Sequence, residues 1–304
     1  MVSMRPILLT NQDFHSWVLG GVSRDISSLG SYKLILINFQ NPFSVLRIFF
    51  YLSVPRKVVF VNQDTFYRLK VFHFMVRRFH ELVILYTHTD SKPSINFRTF
   101  SNIKVVCLNT SEKENLISFG FPKNFIQICP TGVDFDKFVP SLEKVKKNKV
   151  ILVSNFKIRK NPLLTLKVIC ENSDFHFHLV GRGWEKSEIF AELNKLDNFS
   201  YSEFKFEEYI SLINKNHIFL SLSTLEGGPL PMLEAMACNL IPVCVRTGWV
   251  SDILKEGKNG FILECDSTSE QIREALLKAS AEDFDTRDSI SQYSYERYLK
   301  AFLG

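Results

Sequence analysis

The sequence predicts an α/β protein made of two doubly wound, Rossmann-like domains. Short apolar runs, many of them β-branched, alternate with longer segments of helical periodicity, as in parallel sheets covered by helices. The runs form two sets of six, and the 304 residues suit two domains of about 150 residues each. With 45% hydrophobic and 23% charged residues, the composition excludes a disordered chain and a small disulfide scaffold.

The strands predicted in the first half are 6–10, 33–38, 57–61, 82–87, 104–108 and 125–129. Those predicted in the second half are 150–154, 175–180, 199–201, 217–222, 241–245 and 260–263. Ligands of open α/β sheets bind beyond the carboxyl ends of the strands, and two such sheets facing each other form a cleft. We therefore expect the functional site in an interdomain cleft.

A charged segment with few apolar residues, 140–149, separates the two sets of strands. It predicts an N-terminal domain of residues 1–140 and a C-terminal domain of residues 141–304. The helix at the end of the second domain is a candidate to pack back on the first.

Targeting and redox signals are weak. The longest uncharged apolar run of the first half has seven residues, 48–54, against about 20 for a membrane-spanning helix. The apolar run near the N-terminus is too short for a signal peptide. The six cysteines form no Cys-x-x-Cys pair, so buried thiols are expected rather than a zinc or redox site. These observations predict a cytoplasmic protein.

Charge is distributed unequally between the halves. Residues 1–149 carry 20 Lys and Arg against 10 Asp and Glu, whereas residues 150–304 carry 17 against 22. The first half also contains two segments rich in Phe and basic residues, 41–52 and 66–79. They have the composition of interfacial helices on an anionic membrane surface, or of core helices with solvated basic residues. No nucleic-acid-binding module accompanies the charge, so nucleic acid is not an expected partner.

One motif in the second half suggests a ligand site. Glu226 is followed by a turn rich in Gly and Pro, which opens into a run of strong helix formers up to Ala237. A helix start of this kind suits a phosphate. Glu226 and Glu234 bracket it, and their carboxylates can accept hydrogen bonds from hydroxyls on either side of a diphosphate. A Gly-Pro loop with two unrelated glutamates is the alternative interpretation.

The run Glu226 to Ala237 resembles the Glu-seven-Glu signature of glycosyltransferase family 4, whose GT-B fold has two facing Rossmann-like domains. Further segments resemble the same family at 130–134, 177–183, 248–252 and 257–262, and in the first half at 20–22 and 85–90. The resemblance is strong over residues 126–266 and weak over residues 1–125. It implies that the first domain binds the acceptor and the second the nucleotide sugar.

The resemblance implies roles for single residues of the donor site. Glu234 would bind the ribose hydroxyls and Glu226 the donor sugar. The backbone of Gly228, Pro229 and Leu230 would meet the diphosphate.

The cations of the implied site depart from the family pattern. Lys160 matches the family's phosphate-binding lysine, and its charge can stabilise a leaving diphosphate. The family's Gly-Arg five residues earlier is replaced by Ser154-Asn155. Asn155 therefore stands where a second cation is expected, and Lys157 or Arg159 remains to substitute for it.

Three residues of the first half are candidates on the weaker part of the resemblance. His88 would hydrogen-bond a sugar hydroxyl, with an ordinary polar strand end as the alternative. Gly20 and Gly21 would allow the backbone to approach the donor, with a simple tight turn as the alternative. No metal-ligand set is complete around His176 and His178, so neither an essential metal nor another cofactor is expected.

The implied function is transfer of a sugar, with retention at the anomeric carbon, from a nucleotide sugar to a hydroxyl of a glycan or lipid-linked glycan. Bacterial surface polysaccharide synthesis at the inner face of the membrane is the implied setting. A catalytically silent GT-B scaffold that binds a nucleotide, glycan or protein is the main alternative, and a nucleotide-sugar epimerase is a lesser one.

Overall fold

The computed structural model describes residues 5–11, 32–79, 81–86, 100, 102–143 and 145–303. Within these ranges the strands form two six-stranded parallel sheets. The chain divides into two compact units, Met1–Pro130 with Glu296–Gly304, and Thr131–Tyr295. The fold class predicted from the sequence, two Rossmann-like domains, is confirmed.

The first unit has the strand order β2-β1-β3-β4-β5-β6. Its strands are β1 Ile7–Thr10, β2 Lys33–Leu36, β3 Lys57–Phe60, β4 Glu81–Tyr86, β5 Ile103–Cys107 and β6 Ile126–Ile128. Its helices are α1 Pro42–Leu52, α2 Gln63–Arg68, α3 His73–Phe79, α4 Thr110–Ser118 and, from the C-terminal end of the chain, α12 Tyr295–Leu303. The Lys104 ammonium on β5 donates to the carbonyl of Ala301 in α12 at 2.8 Å.

Asparagines begin three helices of this unit. The side chains of Asn41, Asn62 and Asn109 accept hydrogen bonds from backbone N–H groups in the first turns of α1, α2 and α4. Each cap satisfies a donor that a helix start leaves without a partner. The chain therefore turns from extended segment to helix at defined residues.

The second unit has the strand order β12-β11-β10-β7-β8-β9. Its strands are β7 Lys149–Val153, β8 His176–Gly181, β9 Phe199–Glu203, β10 Ile218–Ser221, β11 Ile241–Val245 and β12 Phe261–Leu263. Its helices are α5 Pro162–Glu171, α6 Glu188–Leu193, α7 Phe206–Ile213, α8 Leu230–Ala237, α9 Val250–Ile253, α10 Ser269–Ala281 and α11 Thr286–Ser289. The strand order reverses between β7 and β10, which is the switch point where doubly wound sheets open a crevice.

Every strand predicted from the sequence is present, with bounds within two residues of those predicted. Apolar runs inside the sheets are buried on both faces, as the consecutive buried residues of β1 and β11 show, whereas the edge strands β2 and β9 are partly exposed. Continuous burial is the property of parallel strands that produces such runs.

The boundary between the units differs from the predicted division after residue 140. The segment that begins at Thr131 is bonded to the second unit, because the Val133 N–H donates to Tyr293 O and the Tyr295 N–H to Val133 O, both at 2.9 Å. The Arg287 guanidinium also donates to Phe135 O at 2.8 Å. The second unit therefore begins about ten residues earlier than the charge pattern suggests.

Two further sequence expectations concern thiols and membrane spans. Cys170 and Cys265 are exposed, so the expectation that all the thiols are buried is wrong for these two; the other four cysteines are buried. No helix in the described ranges is long and apolar enough to cross a membrane.

Gly181→Ala is expected to lower the free energy of unfolding by about 3–5 kcal/mol. A Cβ on Gly181 would lie 1.9 Å from the backbone oxygen of Ser154, where β7 and β8 end side by side. Gly257→Ala is the control, because Gly257 has a φ of +66° and open space around it, and its replacement should cost about 1–2 kcal/mol from backbone strain. Denaturant unfolding of both variants measures the difference, and equal losses would contradict the packing argument.

Candidate functional site

The candidate site lies at the carboxyl ends of β7 and β10, at the switch point of the second sheet. The segment after β7 contains a short 3-10 turn, Ile158–Lys160. The segment after β10 contains Glu226 and leads into α8. The two strands pair directly, with Ile218 opposite Val150, so both segments leave the sheet at the same edge.

Hydrogen bonds join these two segments. The Thr224 N–H donates to the carbonyl of Arg159 at 2.8 Å. The Arg159 guanidinium donates in return to the carbonyl of Leu225 at 2.7 Å. This reciprocal pair holds the segment before Glu226 against the 3-10 turn.

Two cations converge on the carboxylate of Glu226. Arg159 Nη1 lies 2.8 Å from Glu226 Oε1, and the Lys160 ammonium donates to the same oxygen. The Glu226 side chain is only 12% exposed. Its burial works to raise the pKa, but the Lys160 ammonium and the Arg159 guanidinium outweigh burial and lower the pKa below its ordinary value. The three groups thus form a partly buried cluster with one excess positive charge.

The glycines of the Glu226 loop are required by close packing. A Cβ on Gly228 would lie 2.0 Å from the ring of Trp249, and a Cβ on Gly248 would lie 2.7 Å from the carbonyl oxygen of Gly227. Gly248 also has a φ of +54°, which favours glycine. The Gly248-Trp249 turn therefore supports the Glu226 loop by direct packing. The spacing of residues in the sequence does not predict this contact.

The start of α8 offers fewer backbone donors than the sequence suggests. The Leu230 N–H donates to Gly228 O and the Met232 N–H to Pro229 O, both at 2.9 Å. Pro229 and Pro231 have no N–H at all. The positive charge of the site therefore comes mainly from Lys160 and Arg159.

Glu234, the second glutamate of the motif, lies within α8 and is almost fully buried, with 4% of its surface exposed. The hydroxyl of Tyr209, on α7, donates to Glu234 Oε2 at 2.7 Å. Burial raises the pKa of Glu234 to about 7, although the Tyr209 hydrogen bond acts in the opposite direction. Sequence reasoning missed Tyr209, because 25 residues separate the pair along the chain.

Asn155 has a structural contact at the site. Its side-chain oxygen accepts the Arg182 N–H at 3.0 Å, which joins the ends of β7 and β8. Arg159, not Asn155, provides the second cation beside Glu226.

The remaining candidates are three residues of the first half and the segment 130–134. Gly20, Gly21 and His88 lie outside the described residues. Asp134 accepts the Asp136 N–H at 3.1 Å and pairs with Lys137 at 2.7 Å, so its carboxylate caps a turn. In the part of the chain that the structure describes, no group of three or more His, Cys, Asp or Glu side chains is arranged to hold a metal ion.

Comparison with protein families finds one match. The model of the family described as "Glycosyl transferases group 1" matches residues 134–297, which is more than half of the chain. The match covers both segments of the candidate site.

Two curated relatives illustrate the similarity. An uncharacterized glycosyltransferase of Methanocaldococcus jannaschii is 24% identical over 218 residues, covering 69% of this chain and 59% of the relative. The Escherichia coli UDP-Gal:alpha-D-GlcNAc-diphosphoundecaprenol alpha-1,3-galactosyltransferase is 25% identical over 183 residues, covering 53% of this chain and 47% of the relative. The chain spans about half the length of the curated relatives it matches.

Solved structures match over nearly the whole chain. Anabaena HepE in complex with UDP has a TM-score of 0.76 at 14% identity, covering 99% of this chain and 98% of that one. A glycosyltransferase from Rickettsia africae has a TM-score of 0.78 at 14% identity, covering 100% and 97%. At this identity the likeness establishes the fold.

Glu234→Gln is expected to change how stability depends on pH. Because the pKa of Glu234 is raised from 4.5 to about 7, the folded protein holds this proton more tightly than the unfolded chain. Its stabilising effect is complete below pH 4.5 and is lost as pH rises through 7, by about 3 kcal/mol in total. Glutamine keeps an acceptor for Tyr209 and does not titrate, so the variant should gain stability relative to wild type as pH rises.

Denaturant unfolding of both proteins between about pH 5 and pH 7.5 measures this difference. Glu274→Gln, at an exposed position on α10, controls for the loss of a carboxylate. Parallel stability curves for wild type and Glu234→Gln would refute the assignment.

Proposed function

This chain belongs to the family of glycosyl transferases group 1, and from that we propose that it transfers a sugar from a nucleoside-diphosphate sugar to a hydroxyl group. The acceptor is a glycan or a lipid-linked glycan. The observation that carries the proposal is the pair of cations, Arg159 and Lys160, gathered at the switch point of the second sheet. Anabaena HepE, which shares the fold, binds UDP and UDP-glucose, and this supports a nucleotide-sugar donor.

The cluster suits the chemistry of a leaving diphosphate. When the bond between the anomeric carbon and the diphosphate breaks, negative charge develops on the departing oxygen. Lys160 and Arg159 would stabilise that charge from fixed positions, as electrostatic catalysis requires. The acceptor hydroxyl would attack the anomeric carbon from the same face of the sugar, giving retention, and its proton would pass to the departing diphosphate oxygen. Most of the remaining rate would come from positioning.

Glu226 has two roles in this proposal. Its lowered pKa keeps the carboxylate ionised at neutral pH, so it orders Lys160 and Arg159 before the donor binds. Once the diphosphate shares those cations, the carboxylate can accept hydrogen bonds from hydroxyls of the donor sugar. The backbone of Gly228, Pro229 and Leu230 would contact the diphosphate. The packing of Gly228 against Trp249 would hold this turn in place.

Glu234 would bind the ribose hydroxyls. A carboxyl group with a pKa near 7 exists in both protonation states at neutral pH and can accept or donate a hydrogen bond. The Tyr209 hydroxyl holds one of its oxygens and thereby fixes its orientation.

The remaining features of the proposal extend beyond the donor site. Because two side-chain cations already face the diphosphate position, we propose that transfer needs no metal ion. The setting is the cytoplasm, at the inner face of a membrane, in surface polysaccharide synthesis. Three roles in the first domain stay predictions: His88 as a hydrogen-bond partner of a sugar hydroxyl, and Gly20 and Gly21 as positions where the backbone approaches the donor.

The silent-scaffold alternative rests on the missing arginine at Asn155 and on the small size of the first domain. Arg159 provides a guanidinium at the same carboxylate as Lys160, which argues against the first of these two grounds. An epimerase would convert the nucleotide sugar without any acceptor. Both alternatives become outcomes of the tests below.

Lys160→Ala and Arg159→Ala are each expected to weaken UDP binding about 10- to 100-fold, the usual loss for one hydrogen bond to a charged group. Isothermal titration calorimetry with UDP measures the effect. Lys195→Ala is the matched control, because Lys195 is an exposed lysine of the same unit that pairs with Glu192 on α6 and should leave binding unchanged. Unaltered affinity in Lys160→Ala and Arg159→Ala would remove the cluster from the donor site.

Turnover is tested with a panel of nucleotide sugars and glycan acceptors. Acceptor-dependent release of nucleoside diphosphate, lost in Lys160→Ala, is the expected result. Release of an isomerised nucleotide sugar without acceptor would show an epimerase. Tight nucleotide binding without any turnover would support the silent scaffold.

A further inference from the structure

We propose that one face of the first unit docks onto an anionic lipid surface. The docking face consists of Phe43, Leu46 and Phe50 on α1, with Val71 and Phe74 in the segment that follows α2. This inference rests on the membrane setting in the proposed function and assigns the surface that makes the contact. Lipid binding is measured without a donor or an acceptor, so its failure is distinguishable from a failure of the transferase proposal.

Helix α1 is apolar on both its inner and its outer side. Ile48 and Leu52 point into the core and are buried. Phe43, Leu46 and Phe50 recur at helical spacing on the opposite side, with Phe43 78% and Phe50 74% exposed. A helix that is apolar on both sides normally lies inside a protein or a membrane. Arg47 is the one charged residue of α1, so the outer side of α1 is far more apolar than that of an ordinary surface helix.

The segment from Lys70 to Phe79 repeats this arrangement. Phe72 and Val76 are buried in the core of the first unit, whereas Val71 is 63% and Phe74 66% exposed. Large exposed side chains thus alternate with buried ones along a short 3-10 turn and the start of α3. This segment therefore contains more large apolar side chains than pack into the core of the first unit.

The topology places both elements on the same side of the sheet. The connections from β2 to β3 and from β3 to β4 step in one direction across the strand order, and right-handed crossovers then put their helices on one face. Ile48, Leu52, Phe72 and Val76 accordingly share a single core cluster with Ile7, Val58 and Leu82. Side chains that point away from the sheet on α1 and on α3 therefore face the same way.

The charged residues of the segment that carries the docking face are almost all basic, although Lys57 is largely buried and pairs with Glu81 at 3.2 Å. Residues 32–79 contain a single acidic residue, Asp64, and eight basic residues, namely Lys33, Arg47, Arg56, Lys57, Arg68, Lys70, Arg77 and Arg78. Asp64 is itself paired with Arg68 at 2.9 Å. Arg47, Lys70 and Arg77 are exposed. Aromatic side chains surrounded by basic residues are the composition of a surface that inserts shallowly among anionic lipids.

This charge favours lipid over a second copy of the chain. Two identical docking faces brought together would oppose their basic residues, and like charges across an interface cost binding free energy. An anionic bilayer provides negative headgroups for the basic residues and an apolar layer for the phenylalanines. A lipid surface therefore provides partners for both the basic and the apolar side chains of the docking face.

The test is co-sedimentation of the full chain with sucrose-loaded vesicles. One set is pure phosphatidylcholine and the other contains roughly one third phosphatidylglycerol, each at low and high salt. We expect binding to the anionic vesicles that weakens as salt is added.

Two sets of substitutions separate the apolar and the charged contributions. Phe43→Ser, Phe50→Ser and Phe74→Ser combined should reduce binding at least about 100-fold. Arg47→Gln with Lys70→Gln should reduce it about 30-fold on anionic vesicles only. The matched control combines Leu142→Ser, Leu163→Ser and Leu277→Ser, which are exposed apolar positions of the second unit, and should bind as wild type does.

All substituted positions of the docking face are exposed, so thermal unfolding followed by circular dichroism should be unchanged in these variants. Absence of binding to anionic vesicles at low salt would overturn the proposal. So would an equal loss of binding in the control set. A phenylalanine variant that turns a dimer into a monomer, or abolishes binding to an acidic protein, while wild type ignores vesicles, would assign the face to protein contact instead.

Discussion

The parallel pairing of β7 with β10 is the constraint from which the site follows. Parallel neighbours must be joined by crossovers, and the two crossovers that leave these strands run to opposite ends of the sheet. The two connections diverge and open a crevice above the carboxyl ends of β7 and β10. The segments that carry Arg159, Lys160 and Glu226 therefore meet there, and the sheet supplies a rigid support for the cluster.

The two glutamates of the motif show how position decides chemistry. Glu226 and Glu234 are both largely buried, yet the pKa of Glu226 is lowered and that of Glu234 is raised. The difference is their partners: Glu226 is paired with two cations, and Glu234 with the neutral hydroxyl of Tyr209. The loop before α8 thus holds an ionised carboxylate, and α8 itself holds a titratable carboxyl group.

The first unit is organised by a different balance. Its sheet is covered by helices whose inner residues fill the core, and α1 carries a second apolar stripe outside. Such a stripe costs solubility unless something covers it, and the surrounding positive charge offsets part of that cost in solution.

The sequence by itself determined the secondary structure and the class of fold. Buried strands require runs of apolar residues, so these runs mark the strands in the sequence. All twelve predicted strands therefore lie within two residues of their observed bounds. Only the tertiary structure decided three contacts of the site. They are the ion pair of Arg159 with Glu226, the packing of Gly228 against Trp249 and the hydrogen bond from Tyr209 to Glu234. These contacts join residues that are distant along the chain. The local pattern of apolar residues does not indicate which distant side chains the strand order brings together. The same reason explains the unit boundary at Thr131, which is set by hydrogen bonds to the far end of the chain and not by the charge of the linker.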